Sequence, residues 1–181
     1  MKKTILLTFG LAFTLISCSE KDKDTTDTSK QELKSDSAIS KLLLKEEPKE
    51  AVGIAELRKT AKPGDTVTFT GAVIGSDSVF IKGRAIMVMG DPTKITSCDL
   101  HPGDNCQTPW DVCCDDPDVI KESILTVQVV DGSGRPLKAD LKGVGGLKEL
   151  SKATITGTVA KSSNESNMLI NATGIYIQPK K

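Results

Sequence analysis

Along residues 51–181 apolar and polar side chains alternate with a period of two more often than they repeat with a helical period. In DTVTFTGAVIG, Val67, Phe69 and Val73 alternate with Thr66, Thr68 and Thr70, and Pro63-Gly64-Asp65 supplies a turn in front. That alternation predicts a strand with one buried face. A second strand is predicted in SVFIKGRAIMVMGD, where Gly83 interrupts the run and marks a bulge or sharp bend. A third, SILTVQVV, aligns Leu125, Val127 and Val129, and the DGSGRP after it either closes a hairpin onto LKADL or leads out of the strand. GGLKELSK reads as a short helical turn, ATITGTVAK as a fourth strand with Ile155 and Val159 inward, and NMLINATGIYIQP as a fifth. Five strands, one short helix and glycines at strand middles predict an all-β fold with minor α content, a small and strongly curved five-stranded barrel.

The N-terminal pattern is different. Met1-Lys2-Lys3 precedes the apolar run TILLTFGLAFTLIS and then Cys18. A positive start followed by roughly 7 to 15 apolar residues is a secretory signal, too short for a stable membrane span. Residues 1–17 are therefore read as an address and not as part of the fold. The residues Leu15-Ile16-Ser17-Cys18 resemble the lipobox of bacterial lipoproteins. The resemblance implies that Cys18 becomes the lipidated mature N-terminus, anchored to a membrane of the cell envelope on its extracytoplasmic side. Two or three acyl chains hold such an anchor durably, at about 0.8 kcal/mol per buried methylene. Residues 18–50 mix both charges with serine and threonine, carry no aromatic residue and have one apolar cluster, Leu42 to Leu44. Such a composition does not offset the cost of ordering the backbone, so the segment reads as a disordered tether, helical at most transiently around Ser40 to Lys45. Residues 51–181 have the length of one folded domain.

Charge narrows the partners. The chain has 24 basic and 24 acidic residues, and loss of the signal removes Lys2 and Lys3 but no acid, leaving 22 against 24 and a net charge near −2. There is no cationic surplus to displace phosphate counterions, so nucleic acid is disfavoured as a partner.

Candidate chemistry is concentrated in CDLHPGDNCQTPWDVCCDD, residues 98–116, which holds four of the five cysteines, the single histidine and the single tryptophan. It lies within an insertion, residues 91–122, between the second and third predicted strands, and loops of that length are usually functional or held by something. Outside the cytoplasm an even set of cysteines defaults to disulfides, so Cys98, Cys106, Cys113 and Cys114 are expected to form two, with Cys113 and Cys114 each bridging to Cys98 or Cys106. The alternative is a metal. Four cysteines, or three with His101, could enclose zinc, and thiolates also suit Cu(I). The spacing C-x7-C-x6-C-C lacks the C-x2-C knuckle of common zinc sites. A nucleophilic or redox cysteine with His101 as its base lacks a C-x-x-C motif. Asp99, Asp104, Asp111, Asp115, Asp116 and Asp118 could supply calcium with oxygen, but aspartates beside Pro102-Gly103 and Pro117 more often form turns and helix caps. Trp110 is either an exposed binding anchor or a lid packed on the barrel whose indole N–H needs a partner. No catalytic triad, phosphate loop or paired carboxylates can be placed, and with one histidine no enzyme class is favoured.

Two strand openings echo each other, VGIAELRKTAKPGDTVTFTGAV and VGGLKELSKATITGTVA. With TFTGAV, TITGTV and the terminal NATGIYI, the order of elements resembles an oligonucleotide/oligosaccharide-binding (OB) barrel. GRAIMVMGDP, TPWDVCC and TVQVVDGSGRPL resemble more specifically a group of uncharacterised secreted or lipid-anchored bacterial proteins with an OB-like domain, over about residues 51–178. The group implies a fold and brings no activity or cofactor. Three functions follow as expectations: a lipid-anchored interaction module with a disulfide-stapled loop, recognising an envelope protein or glycan; a metal-binding lipoprotein using the four cysteines; or a binder of oligonucleotides or oligosaccharides on the barrel face.

Overall fold

Phe69, Met87, Val127, Ile155 and Ile170, one from each of five strands, are all 0% exposed, and the protein is built around them. In this computed structural model residues 37–101, 103 and 106–179 are described. The expected signal, Cys18 and the first part of the expected tether lie outside them. The strands are β1 (Val52–Gly53), β2 (Thr66–Ala72), β3 (Ile86–Gly90), β4 (Ile124–Gln128), β5 (Lys152–Val159) and β6 (Leu169–Ile177); residues 37–40 are helical, and the helices that lie wholly within the described residues are α1 (Ile54–Thr60) and α2 (Pro117–Ser123).

Strand order is β1-β2-β3-β4-β6-β5, and β5 pairs back onto β2, so β2 to β6 close into a five-stranded OB-like barrel. All neighbouring pairs of the barrel are antiparallel except β4 with β6, which is parallel. The β2–β5 pair is the longest continuous seam, running from Thr66↔Thr158 to Ala72↔Lys152. Between β5 and β6 the register shifts at Thr156/Gly157. A Cβ at Gly157 would stand 2.5 Å from the Asn171 carbonyl oxygen, so glycine lets the two backbones close on each other at this bulge. Among the described residues no helix is long and apolar enough to cross a membrane.

Two local expectations change and one open alternative is resolved. SVFIKGRAIMVMGD is not one interrupted strand: the Val88 amide donates to the Val79 carbonyl, the Ile81 amide to the Ile86 carbonyl, and Phe80 bridges Met87. The run folds back on itself, and Gly83, at φ 69°, sits in the turn, where its amide donates to Asp140 Oδ1. GGLKELSK forms no α-helix. Gly143, Gly145 and Gly146 all have positive φ, so only a 3-10 turn, Val144–Gly146, survives, with Leu147 buried after it. DGSGRP does close a short hairpin, with Val130 bridging Pro136 and Asp131 Oδ1 accepting from the amides of Ser133 and Arg135.

Part of the segment expected to be a disordered tether over residues 18–50 packs on the barrel instead. Ile39 is 0% exposed in the main core, and the Leu44 amide and Leu42 carbonyl pair with Ile175 of β6. Glu47 then accepts from Thr154 Oγ1 at 2.9 Å and Gln178 Nε2 at 2.7 Å. Thr154, on the outer side of the barrel, is fully buried under this strap. One isoleucine and three leucines gave too little apolar pattern to announce it, but the barrel supplies the surface they cover.

Helix α1 shows how the insertion is tied in. Its N-cap is Gly53, which has no side chain to offer the orphan amides. Asp91, at the start of the insertion and 3% exposed, reaches across instead: Oδ2 accepts from the Ala55 amide, and Oδ1 accepts from the Thr93 amide and hydroxyl. Any Cβ at residue 53 would lie 2.8 Å from Asp91 Oδ2, so glycine is required for this approach. Burial alone would raise the Asp91 carboxyl. The hydrogen bonds from Thr93 and Ala55, with Lys94 nearby, outweigh it and hold the group below its ordinary range.

Candidate functional site

The cysteine-bearing insertion between β3 and β4 is ordered by its own contacts. Its two arms are zipped: the Cys98 amide donates to the Asp111 carbonyl, the Asp99 amide to the Pro109 carbonyl, and the Thr96 amide to Asp115 Oδ2. Ile95 and Val112, both buried, join Ala72 and Ile74 in a second apolar cluster beside the main core. Trp110 packs against both clusters. Its indole Nε1 donates to the Asp77 carbonyl at 3.0 Å, and its own carbonyl accepts from Gly75. Trp110 is therefore a half-buried wedge that fixes the loop to the barrel, with its N–H satisfied, and not an exposed anchor.

Asp99, Asp111, Asp115 and Asp116 have structural roles here, and Asp104 lies outside the described residues. Asp116 Oδ1 accepts from the Asp118 and Val119 amides and caps α2 ahead of Pro117, a stop-and-start signal within the insertion that hydrophobic periodicity does not register. Asp99 accepts from Ser97 Oγ, Asp111 from the Val112 amide, and Asp115 from Thr96. Among the described residues only sulfur atoms form a group that could hold a metal.

The sulfurs converge although their codons are spread over seventeen positions. Cys98 opens a 3-10 turn, Cys98–Leu100, and is 3% exposed; Cys113 and Cys114 lie on the exposed opposite arm. The zipper between the arms brings all three sulfurs within 4.8 Å of one another, with Cys98 Sγ and Cys113 Sγ 3.9 Å apart. Cys106 contacts Cys98 and also lies 3.3 Å from Thr108 Oγ1. Among the described residues no two cysteine sulfurs stand at the bonding distance of the expected disulfides, about 2.05 Å. The fold brings the adjacent Cys113 and Cys114 to one partner, Cys98.

Burial pushes the Cys98 thiol well up, and the Cys106 and Cys113 sulfurs push it the same way. Contact with Cys98 pulls the Cys113 thiol down, but Cys114, desolvation and the Asp111 carboxylate raise it further, so its net shift is upward. Without another charge at the site both remain protonated and weakly nucleophilic at neutral pH. His101 follows Cys98 by three residues and closes the same turn through its amide, which donates to the Cys98 carbonyl. Its Nε2 is buried and has no hydrogen-bond partner.

The barrel face offers less. Phe69 is fully buried, Phe80 packs on the core, Trp110 is committed to the loop, and Tyr176 is half-buried, so no aromatic side chain among the described residues is exposed for base stacking. A separate pocket of about 670 Å³ opens where β5 begins and β6 ends, lined by Lys148, Leu150, Ser151, Lys152, Ile177 and Gln178. Comparison with protein-family models, with curated proteins and with solved structures finds no match for this chain.

Proposed function

We propose that this protein is a lipid-anchored component of the bacterial cell envelope whose OB-like barrel serves as a rigid mount, presenting the cysteine loop to an envelope protein or glycan. The observation that carries the reading is the apolar exposure on that loop. Leu100 is 67% exposed at the end of the Cys98 turn, and Val119 is 41% exposed on α2, on a segment whose backbone is fixed by its own zipper and apolar cluster. Single exposed leucines are ordinary. One held out by a long insertion with a dedicated core is better placed for recognition than for stability. In this reading Cys18 carries the anchor and the protein has no catalytic role. A covalent staple adds to an order already present, and Cys98 with Cys113 is the pair needing least movement.

Two measurements test it. Globomycin treatment or Cys18→Ala is expected to block processing and release the protein from the membrane fraction; unchanged fractionation removes the anchor from the proposal. A photo-crosslinking residue at position 100 in intact cells is expected to yield a discrete adduct that the same residue at position 161, on an exposed turn elsewhere, does not. Equal labelling from both positions overturns the loop as the presenting surface.

A further inference from the structure

The sulfur positions carry a second reading that owes nothing to the anchor or to a partner. An ion bound at about 2.3 Å by thiolates places its sulfurs about 3.8 Å apart in a tetrahedral site and about 4.0 Å apart in a trigonal one. Cys98 Sγ and Cys113 Sγ are separated by 3.9 Å, and Cys114 Sγ lies within 4.8 Å of both. The spacing fits a shared central ion and is nearly twice a disulfide bond. The arrangement joins one buried ligand with two exposed ones, giving an entry path on the side of Cys113 and Cys114.

A second observation points to the same place. The Nε2 atom of His101 is buried with no partner, an arrangement that costs about 1 to 3 kcal/mol when nothing compensates it. His101 is the C-cap of the turn that Cys98 opens, and its amide donates to the Cys98 carbonyl. A neutral imidazole nitrogen with no hydrogen bond is an available donor to a cation.

We infer that Cys98, Cys113 and Cys114 form a binding site for a soft d10 cation, the three sulfurs sufficient when it is Cu(I), and His101 Nε2, which lies outside the sulfur cluster, turning in as the fourth donor when it is Zn(II). On binding, each ligating thiol gives up its proton to solvent, and the ion takes the place of those protons as the positive charge among the sulfurs. The donor set favours a soft ion: Asp99, Asp111, Asp115 and Asp116 each already accept from backbone or hydroxyl donors.

The test uses the full chain with Cys18→Ala, kept reduced and anaerobic, titrated separately with Zn(II) and with Cu(I) and read by native mass spectrometry and metal-edge X-ray absorption. One ion per chain is expected, with the mass increment reduced by the displaced protons and with sulfur neighbours at about 2.3 Å. Cys113→Ser and Cys114→Ser lie at exposed positions, so the barrel is expected to persist by circular dichroism while affinity falls at least about tenfold to a hundredfold in each. His101→Ala is expected to weaken Zn(II) and to spare Cu(I). Three results each overturn the inference: a reduced chain that keeps no ion through desalting, a chain isolated with its thiols already paired and unable to take an ion after reduction, or serine variants that bind as tightly as the parent. The anchor experiment is independent of all three.

Discussion

Strands β2 and β5 are joined by seven consecutive register pairs, whereas the two arms of the cysteine loop, residues 96–99 and 109–115, are joined by three hydrogen bonds. The barrel surrounds a cluster that includes Phe69, Met87, Ile155 and Ile170, while the loop rests on four buried residues, Ala72, Ile74, Ile95 and Val112. One region has redundant support and the other just enough. The loop is consequently the place where a change of chemistry, such as oxidation or ion binding, can be absorbed without reaching the fold. Asp91 stands between the two, bonded to α1 on one side and to the first turn of the loop on the other.

The contrast can be broken most forcefully from the barrel. Phe69→Ala removes a fully buried aromatic ring from the main core and is expected to cost about 3 to 5 kcal/mol in denaturant unfolding, with loop and barrel lost together. Asp91→Ala is next, at about 2 to 3 kcal/mol, because it strands buried amides of α1 and of the loop turn. Its pH dependence has a definite sign. The folded-state carboxyl is held below its unfolded value, so its contribution is complete above the ordinary carboxylate range, about pH 4, and drains away as pH falls through the depressed folded value. Acid titration of the parent should therefore show a loss of stability that Asp91→Asn lacks; identical acid profiles contradict the assignment.

Within the loop the effects are smaller and should stay local. Val112→Ala removes two methyl groups from the second cluster and is expected to cost about 1.5 to 2 kcal/mol, with faster amide exchange in residues 95–115 and unchanged protection in β2 and β5. Uniform loss of protection would show that loop and barrel form one cooperative unit. Smaller still is Trp110→Phe, which forfeits the bond to the Asp77 carbonyl for about 0.5 to 1.5 kcal/mol. Least costly to the fold is thiol labelling at neutral pH without metal. Exposed Cys114 and Cys113 are expected to react well ahead of Cys98, whose buried and raised thiol is reached only when the loop opens; equal rates would place the Cys98 sulfur in solvent.

The barrel was legible in the sequence because its strands are buried on one face, and Val67-Thr68-Phe69-Thr70 or Leu125-Thr126-Val127 advertises that face residue by residue. What escaped was whatever depends on an encounter. Strand β1 has two residues and no period to detect. The strap around Ile39 looks solvated until a barrel exists for it to cover, and Gly83, which did mark a bend, gave no sign that the residues before it fold back to pair with β3. The cysteine loop was recognisable by composition, but the convergence of its sulfurs follows from a zipper of backbone bonds that no spacing rule encodes. Pro117 after Asp116 was the one local sign that the insertion contained a helix.

The short pieces around the barrel wall set a limit on how anything else can attach. Strand β2 is flanked by β5 and, where β3 does not reach, by β1; the outer side of β3 is taken by residues 79–81, and β6 beyond β4 is taken by residues 42–44. A visiting peptide that tried to extend this sheet by lending its own backbone would find these rungs already occupied. Recognition is thereby handed from main chain to side chain. A protein wearing its own N-terminal segment as a gasket is free to expose a greasy, sulfur-rich tip without inviting neighbouring copies to zip onto its edges.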